Sequence, residues 1–95
     1  MKVKRLGKKL KAKEELFKIF EGESNIGDFE GDTTFEGLRI LSWYTENLVV
    51  ATKKDILCSE NVSVLIEAGI TDVDARDLRN LNWSIEDGEY LYCFV

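Results

Sequence analysis

A turn signal near the C-terminus constrains the fold more than any other feature: the dipeptide Asp87-Gly88, which lies between two glutamates and, beyond them, two segments that contain apolar residues. This dipeptide is preferred in the two-residue type I′ turns of β-hairpins. Folding the chain about it places Glu86 opposite Glu89 and brings the apolar residues of both strands onto one face. The predicted pairs are Ile85 with Tyr90, Trp83 with Tyr92 and Leu81 with Phe94. Because Leu91, Cys93 and Val95 make the other face apolar as well, the last strand is predicted to be central in its sheet.

The N-terminal half predicts one helix and a second hairpin. Leu10, Phe17 and Phe20 share one face of a helix over residues 8–21, which ends at Gly22. The β-branched and aromatic content of residues 34–44 predicts a strand, with Gly37 marking a bulge. A strand over residues 48–52 follows after a short connection, so that the two strands form a hairpin.

The middle of the chain predicts short helices. Residues 52–55 resemble a helix capping box and predict a helix that continues to Cys58. Ser59 or Asn61 can cap a helix containing Leu65, but apolar residues also alternate between positions 62 and 66, so helix and strand remain alternatives over residues 60–68. The pattern Thr71-x-x-Asp74 predicts the start of the next helix.

These elements predict an α+β fold. It consists of an N-terminal amphipathic helix, an antiparallel sheet made of two β-hairpins, and two or three short helices packed on one face of that sheet. A chain of 95 residues predicts a single small domain, in which residues 1–7 are either a flexible basic arm or a short strand. The oligomeric state is left open.

The residue types present exclude several kinds of site. The chain has no histidine, which excludes Ser–His and Cys–His nucleophile pairs. Two cysteines cannot complete a closed zinc site without histidine. We therefore expect no enzymatic activity, no cofactor and no metal. A carboxylate-dependent hydrolase remains an alternative, and it would need acids of perturbed pKa in a concave pocket.

The sequence predicts a cytoplasmic protein that does not enter a membrane. The N-terminus is basic, but it lacks the apolar segment of a signal peptide. No segment approaches the roughly 20 apolar residues that a membrane-spanning helix requires. In that compartment Cys58 and Cys93 are expected to remain reduced thiols.

Charge is divided by position along the chain. Residues 1–20 have a net charge of +6, whereas residues 21–95 have a net charge of −11. We call residues 2–13 the basic segment, because seven of its residues are cationic and none is acidic. These candidates for polyanion binding are Lys2, Lys4, Arg5, Lys8, Lys9, Lys11 and Lys13. Binding of a nucleic acid by this segment is one functional hypothesis.

The acidic remainder of the chain supports the main hypothesis. Three acids lie near one predicted helix start and three near the C-terminal turn. These candidates for partner binding are Asp72, Asp74, Asp77, Glu86, Asp87 and Glu89. Such carboxylates can pair with Lys and Arg side chains of a partner protein that has a basic surface.

In size, charge and lack of catalytic groups, the chain resembles the small acidic anti-defence proteins of bacterial viruses, which include anti-CRISPR and DNA-mimic inhibitors. The resemblance implies a non-enzymatic inhibitor that occupies the basic nucleic-acid-binding groove of its partner. Nucleic-acid binding through the basic segment is the alternative.

Overall fold

The computed structural model describes residues 7–23, 31–86 and 89–94, and within these ranges the fold is α+β. Four helices are present: α1 (Lys13–Glu21), α2 (Thr33–Leu41), α3 (Val62–Ala68) and α4 (Asp72–Asn80). Four strands accompany them: β1 (Ala51–Lys53), β2 (Ile56–Asn61), β3 (Ser84–Ile85) and β4 (Tyr90–Phe94). None of the helices in these ranges is long and apolar enough to cross a membrane.

The strands form one antiparallel sheet in the order β1-β2-β4-β3. The sheet therefore contains two hairpins, β1–β2 and β3–β4, and β4 lies between two neighbours, as predicted. The helices cover the face on which Leu91 and Cys93 point inward. Trp83, Leu16 and Leu78 are fully buried between the helices and this face.

The strand predicted over residues 34–44 is wrong, because this region forms helix α2. Asp32 caps the helix by accepting a hydrogen bond from the backbone N–H of Phe35 at 3.0 Å. Gly37, Ile40 and Leu41 are its buried residues, and their spacing is helical. Gly37 does not form a bulge; it lies in the helix against the indole of Trp83.

The first hairpin lies further along the chain than predicted. Of the strand predicted over residues 48–52, only residues 51 and 52 are in a strand, β1, which pairs with β2 rather than with a preceding strand. The helix predicted from residue 52 to Cys58 is also wrong. Lys54 and Asp55 instead form the turn between the strands, and Thr52 pairs with Leu57.

The register of the C-terminal hairpin differs from the prediction by one residue. Ser84 pairs with Tyr92 and Ile85 with Leu91, so the predicted partners of Trp83, Ile85 and Leu81 are wrong. Asp87 and Gly88 lie outside the described residues. The N–H of Glu89 donates to the carbonyl of Glu86 at 2.8 Å, and the N–H of Glu86 donates to the carbonyl of Tyr90 at 3.0 Å.

These hydrogen bonds close the hairpin, and Glu89 is left-handed with φ 65°. The shift of one residue places Leu91 opposite Ile85, so Leu91 and Cys93 lie on the face that was predicted to be opposite to Ile85. Leu91 and Cys93 are consequently buried, whereas Phe94 is 61% exposed.

Of the two alternatives over residues 60–68, the helix is observed from residue 62 onward, and only residues 60 and 61 belong to a strand. Strand β2 runs to Asn61, and helix α3 begins at the next residue. The side chain of Asn61 caps α3 by accepting from the N–H of Ser63 at 2.8 Å. The predicted cap at Thr71 is confirmed, because its hydroxyl accepts from the N–H of Asp74 at 3.2 Å.

The N-terminal helix is shorter than predicted, because α1 begins at Lys13 rather than at residue 8. Residues 8–10 are extended and lie antiparallel to the connection between α3 and α4. The N–H of Leu10 donates to the carbonyl of Ile70, and the N–H of Asp72 donates to the carbonyl of Lys8, each at 2.9 Å. These hydrogen bonds fix the described part of the basic segment against the α3–α4 corner.

Candidate functional site

The start of helix α4 holds the basic segment in place. The carboxylate of Asp72 accepts a hydrogen bond from the backbone N–H of Lys8 at 2.8 Å, and it forms an ion pair with Arg76 at 3.7 Å. Gly7, with φ 102°, lies so close to Asp72 and Val73 that a Cβ there would collide with both side chains. The hydrogen bond from Lys8 is the main cause of a lowered pKa for Asp72, and the charge of Arg76 contributes.

A groove between α1 and α4 adjoins this contact, and we call it the basic groove. Its volume is about 540 Å³. Three cations line it, namely Lys8, Lys18 and Arg76, together with the carboxylates of Glu15 and Asp72. The apolar part of its wall comes from Leu10 and Ile19.

A second groove lies between α1 and β3, and we call it the acidic groove. Its volume is about 340 Å³, and it is lined by Glu21 and Glu86 with apolar walls from Phe17 and Ile85. Arg79 also lines it, but its guanidinium donates to three neutral acceptors. These are the carbonyl of Gly22 at 2.8 Å, the carbonyl of Trp83 at 3.0 Å and the hydroxyl of Ser84 at 2.9 Å.

The two grooves lie on different sides of helix α1. Glu15, Lys18 and Ile19 face the basic groove, whereas Phe17 and Glu21 face the acidic one. At about 100° per residue the centres of these two sets are about 130° apart around the helix, and Lys18 and Glu21 lie where the two sides meet, about 60° apart. One amphipathic helix therefore separates two surfaces that differ in the sign of their exposed charge.

The three acids of the first predicted cluster, Asp72, Asp74 and Asp77, do not form one exposed surface. Asp74 is 2% exposed and accepts a hydrogen bond from the hydroxyl of Tyr44. Burial, followed by this hydrogen bond, raises the pKa of Tyr44. Asp72 is engaged by Lys8 and Arg76, while Asp77 is exposed on α4.

The second predicted acidic cluster is divided as well. Glu89 forms an ion pair with Lys13 at 3.0 Å, which connects the turn to the first residue of α1. Glu86 lines the acidic groove and accepts a weak hydrogen bond from the thiol of Cys58 at 3.8 Å. Asp87 lies outside the described residues. The structure adds Glu21, which no sequence pattern indicates because its proximity to Glu86 depends on the packing of α1 on β3.

The predicted cations are only partly described. Lys8, Lys9 and Lys11 belong to the described residues, and the aliphatic part of Lys9 passes over Gly69. Lys13 is engaged by Glu89. Lys2, Lys4 and Arg5 lie outside the described residues. Lys18 and Arg76 join Lys8 only in the folded chain, and no local sequence pattern places α1 beside α4.

Both cysteines are buried thiols that form no disulfide. Leu57 pairs with Cys93 across the sheet, so Cys58 points to the opposite face from Cys93. Burial is the main cause of a raised pKa for the Cys93 thiol. The described residues contain no group of three acidic or cysteine side chains arranged to hold a metal ion.

Comparisons with known proteins do not add to this geometry: no family model matches the chain, and no curated protein or solved structure is significantly similar to it.

Proposed function

We propose that this protein is a non-enzymatic interaction module that binds a basic surface of a partner protein through exposed carboxylates. The acidic groove is the observation that supports this function best. Glu21 and Glu86 line one concavity, and neither forms an ion pair with a residue in the described ranges. Arg79 forms no ion pair with either of them, and the two carboxylates leave the groove with one excess negative charge.

The acidic groove suits a long cationic side chain. Lys and Arg have an aliphatic stem and a charged end group. Phe17 and Ile85 can pack against the stem, while Glu21 and Glu86 accept charge-assisted hydrogen bonds from the end group. The net charge of −11 over residues 21–95 adds a long-range attraction to a basic partner.

The more specific hypothesis is an anti-defence inhibitor that occupies the nucleic-acid-binding groove of its partner, as the resemblance to anti-CRISPR and DNA-mimic proteins implies. Of the acids selected from the sequence, Glu86 belongs to the proposed binding surface. Asp74, Asp72 and Glu89 do not, because they hold the fold together.

Isothermal titration with an arginine-rich peptide tests this proposal. The double variant Glu21→Gln/Glu86→Gln removes both carboxylates of the acidic groove. The control, Glu46→Gln/Glu67→Gln, removes the same charge from exposed positions elsewhere. We expect the groove variant to bind at least about tenfold more weakly, since hydrogen bonds to charged groups contribute about 1.5–3 kcal/mol each.

The control should bind almost like the wild type, because single exposed charges contribute about 1 kcal/mol or less. Equal losses in the two variants would show that only net charge matters. Failure of the wild type to bind the peptide would reject the acidic groove as a cation site. Thermal unfolding of each variant checks that the fold is retained.

A further inference from the structure

The basic groove combines cations from three separate parts of the chain. Lys8 belongs to the basic segment, Lys18 to α1 and Arg76 to α4. Among the described residues, neither Lys8 nor Lys18 forms an ion pair. Arg76 is 64% exposed and its guanidinium lies 3.7 Å from the carboxylate of Asp72, so it can accommodate another acceptor.

The two carboxylates in the basic groove are already engaged by the backbone. Glu15 accepts from the N–H of Lys11 at 3.0 Å, and Asp72 accepts from the N–H of Lys8 at 2.8 Å. They fix the basic segment in position and leave the groove with one excess positive charge. An anion in the groove can therefore contact exposed cationic side chains.

The positive charge continues beyond the groove along the basic segment. Lys9 and Lys11 follow Lys8 in the described part of this segment, and both are exposed. An open groove with exposed lysines binds an isolated phosphate weakly, because such pairs are screened by water and salt. A ligand with regularly repeated negative charges contacts several of these cations at once and releases its condensed counterions.

We propose that the basic groove binds the phosphate backbone of a nucleic acid. Lys8, Lys18 and Arg76 hold phosphates in the groove, and Lys9 and Lys11 add positive charge beside it. Ile19 provides an apolar surface for the sugars between them. Phosphate contacts carry no base information, so this binding is independent of sequence. It uses a different side of α1 from the acidic groove, and the proposal does not depend on that groove.

The experiment is a fluorescence anisotropy titration of a short labelled DNA duplex with the full chain at several salt concentrations. The test variant Lys18→Gln/Arg76→Gln leaves the basic segment intact. The control Lys54→Gln/Arg39→Gln removes one Lys and one Arg from other elements, so both variants have the same net charge. A poly-glutamate peptide is titrated as a second polyanion.

We expect the wild type to bind DNA at low salt and the test variant to bind at least about tenfold more weakly. The slope of log K against log salt should fall by about two in the test variant, because each substituted cation neutralises about one phosphate. The control should stay within about threefold of the wild type, with an unchanged slope. Equal losses in both variants, or no DNA binding by the wild type, would overturn the proposal. Binding of poly-glutamate in preference to DNA would also overturn it and would indicate an acidic protein ligand.

Discussion

At the scale of single residues, the acids of this chain divide into those that hold the fold together and those that face solvent. Asp74 and Glu60 are both buried, and each accepts hydrogen bonds from polar groups of other segments. Burial acts to raise the pKa of Glu60. Hydrogen bonds from Asn61, Thr45 and Asn47 together have a larger effect in the opposite direction, so the pKa is lowered overall. A count of carboxylates therefore overstates how many are available to a partner.

The hydrogen bond between Tyr44 and Asp74 provides a direct test at this scale. Tyr44→Phe removes one donor from a buried carboxylate, and we expect the free energy of unfolding to fall by about 1–3 kcal/mol. Tyr92→Phe is the matched control, because Tyr92 is half-buried on the outer face of the sheet. Urea denaturation of both variants measures the difference. An equal effect of the two substitutions would contradict the structural role assigned to Asp74.

At the scale of elements, helix α2 depends on a close approach to Trp83. The indole N–H donates to the carbonyl of Thr33 at 3.2 Å, and the ring lies against Gly37. Asp32 caps the helix, and Glu36 pairs with Arg39 one turn later at 2.7 Å. Tertiary contact and local capping thus favour the same helix.

Gly37→Ala separates tertiary packing from helix propensity. Alanine favours a helix interior by about 1 kcal/mol relative to glycine, but a Cβ at this position would overlap the Trp83 indole. We expect the variant to be about 1–3 kcal/mol less stable, as is typical of overpacked cores. The same substitution in an isolated peptide of residues 31–42 should increase helicity by circular dichroism. Stabilisation of the whole protein would show that α2 does not pack closely on Trp83.

The elements also show how far the sequence could predict the structure. The cap at Thr71, the end of α1 at Gly22 and the central position of β4 follow from local patterns, and they are observed. Helix α2 was missed because its aromatic and β-branched content favours a strand, although the Asp32 cap and the spacing of Gly37 and Ile40 are helical. The hairpin register could not be predicted because Glu89 adopts the left-handed conformation, and no residue type that favours this conformation stands at position 89.

At the scale of the whole molecule, the charge asymmetry of the sequence becomes a spatial separation. The described part of the basic segment docks on the α3–α4 corner, and α1 separates the basic groove from the acidic groove. The residues of each groove come from distant parts of the chain. Sequence patterns could predict that both charge types were exposed, but not which side chains would meet.

We expect acid pH to weaken the docking of the basic segment, because Asp72 becomes protonated there. Its pKa is lowered in the folded state, so its contribution to stability is complete above the ordinary value of 3.8 and is lost as the pH falls through the lower folded-state pKa. We expect Asp72→Asn to be less stable than the wild type at neutral pH, with the difference shrinking below pH 3.8. Denaturation curves across this range measure it. A difference independent of pH would exclude an electrostatic role for Asp72.

The most direct test of the central claim, that α1 separates two binding surfaces of opposite charge, is a nuclear magnetic resonance titration of the labelled chain. Short duplex DNA and the arginine-rich peptide are added to separate samples, and backbone amide shifts are followed. We predict that DNA shifts residues around Lys8, Lys18 and Arg76, that the peptide shifts residues around Glu21 and Glu86, and that the two sets do not overlap. Shifts at the same residues with both ligands, or DNA-induced shifts centred on the acidic groove, would contradict the account.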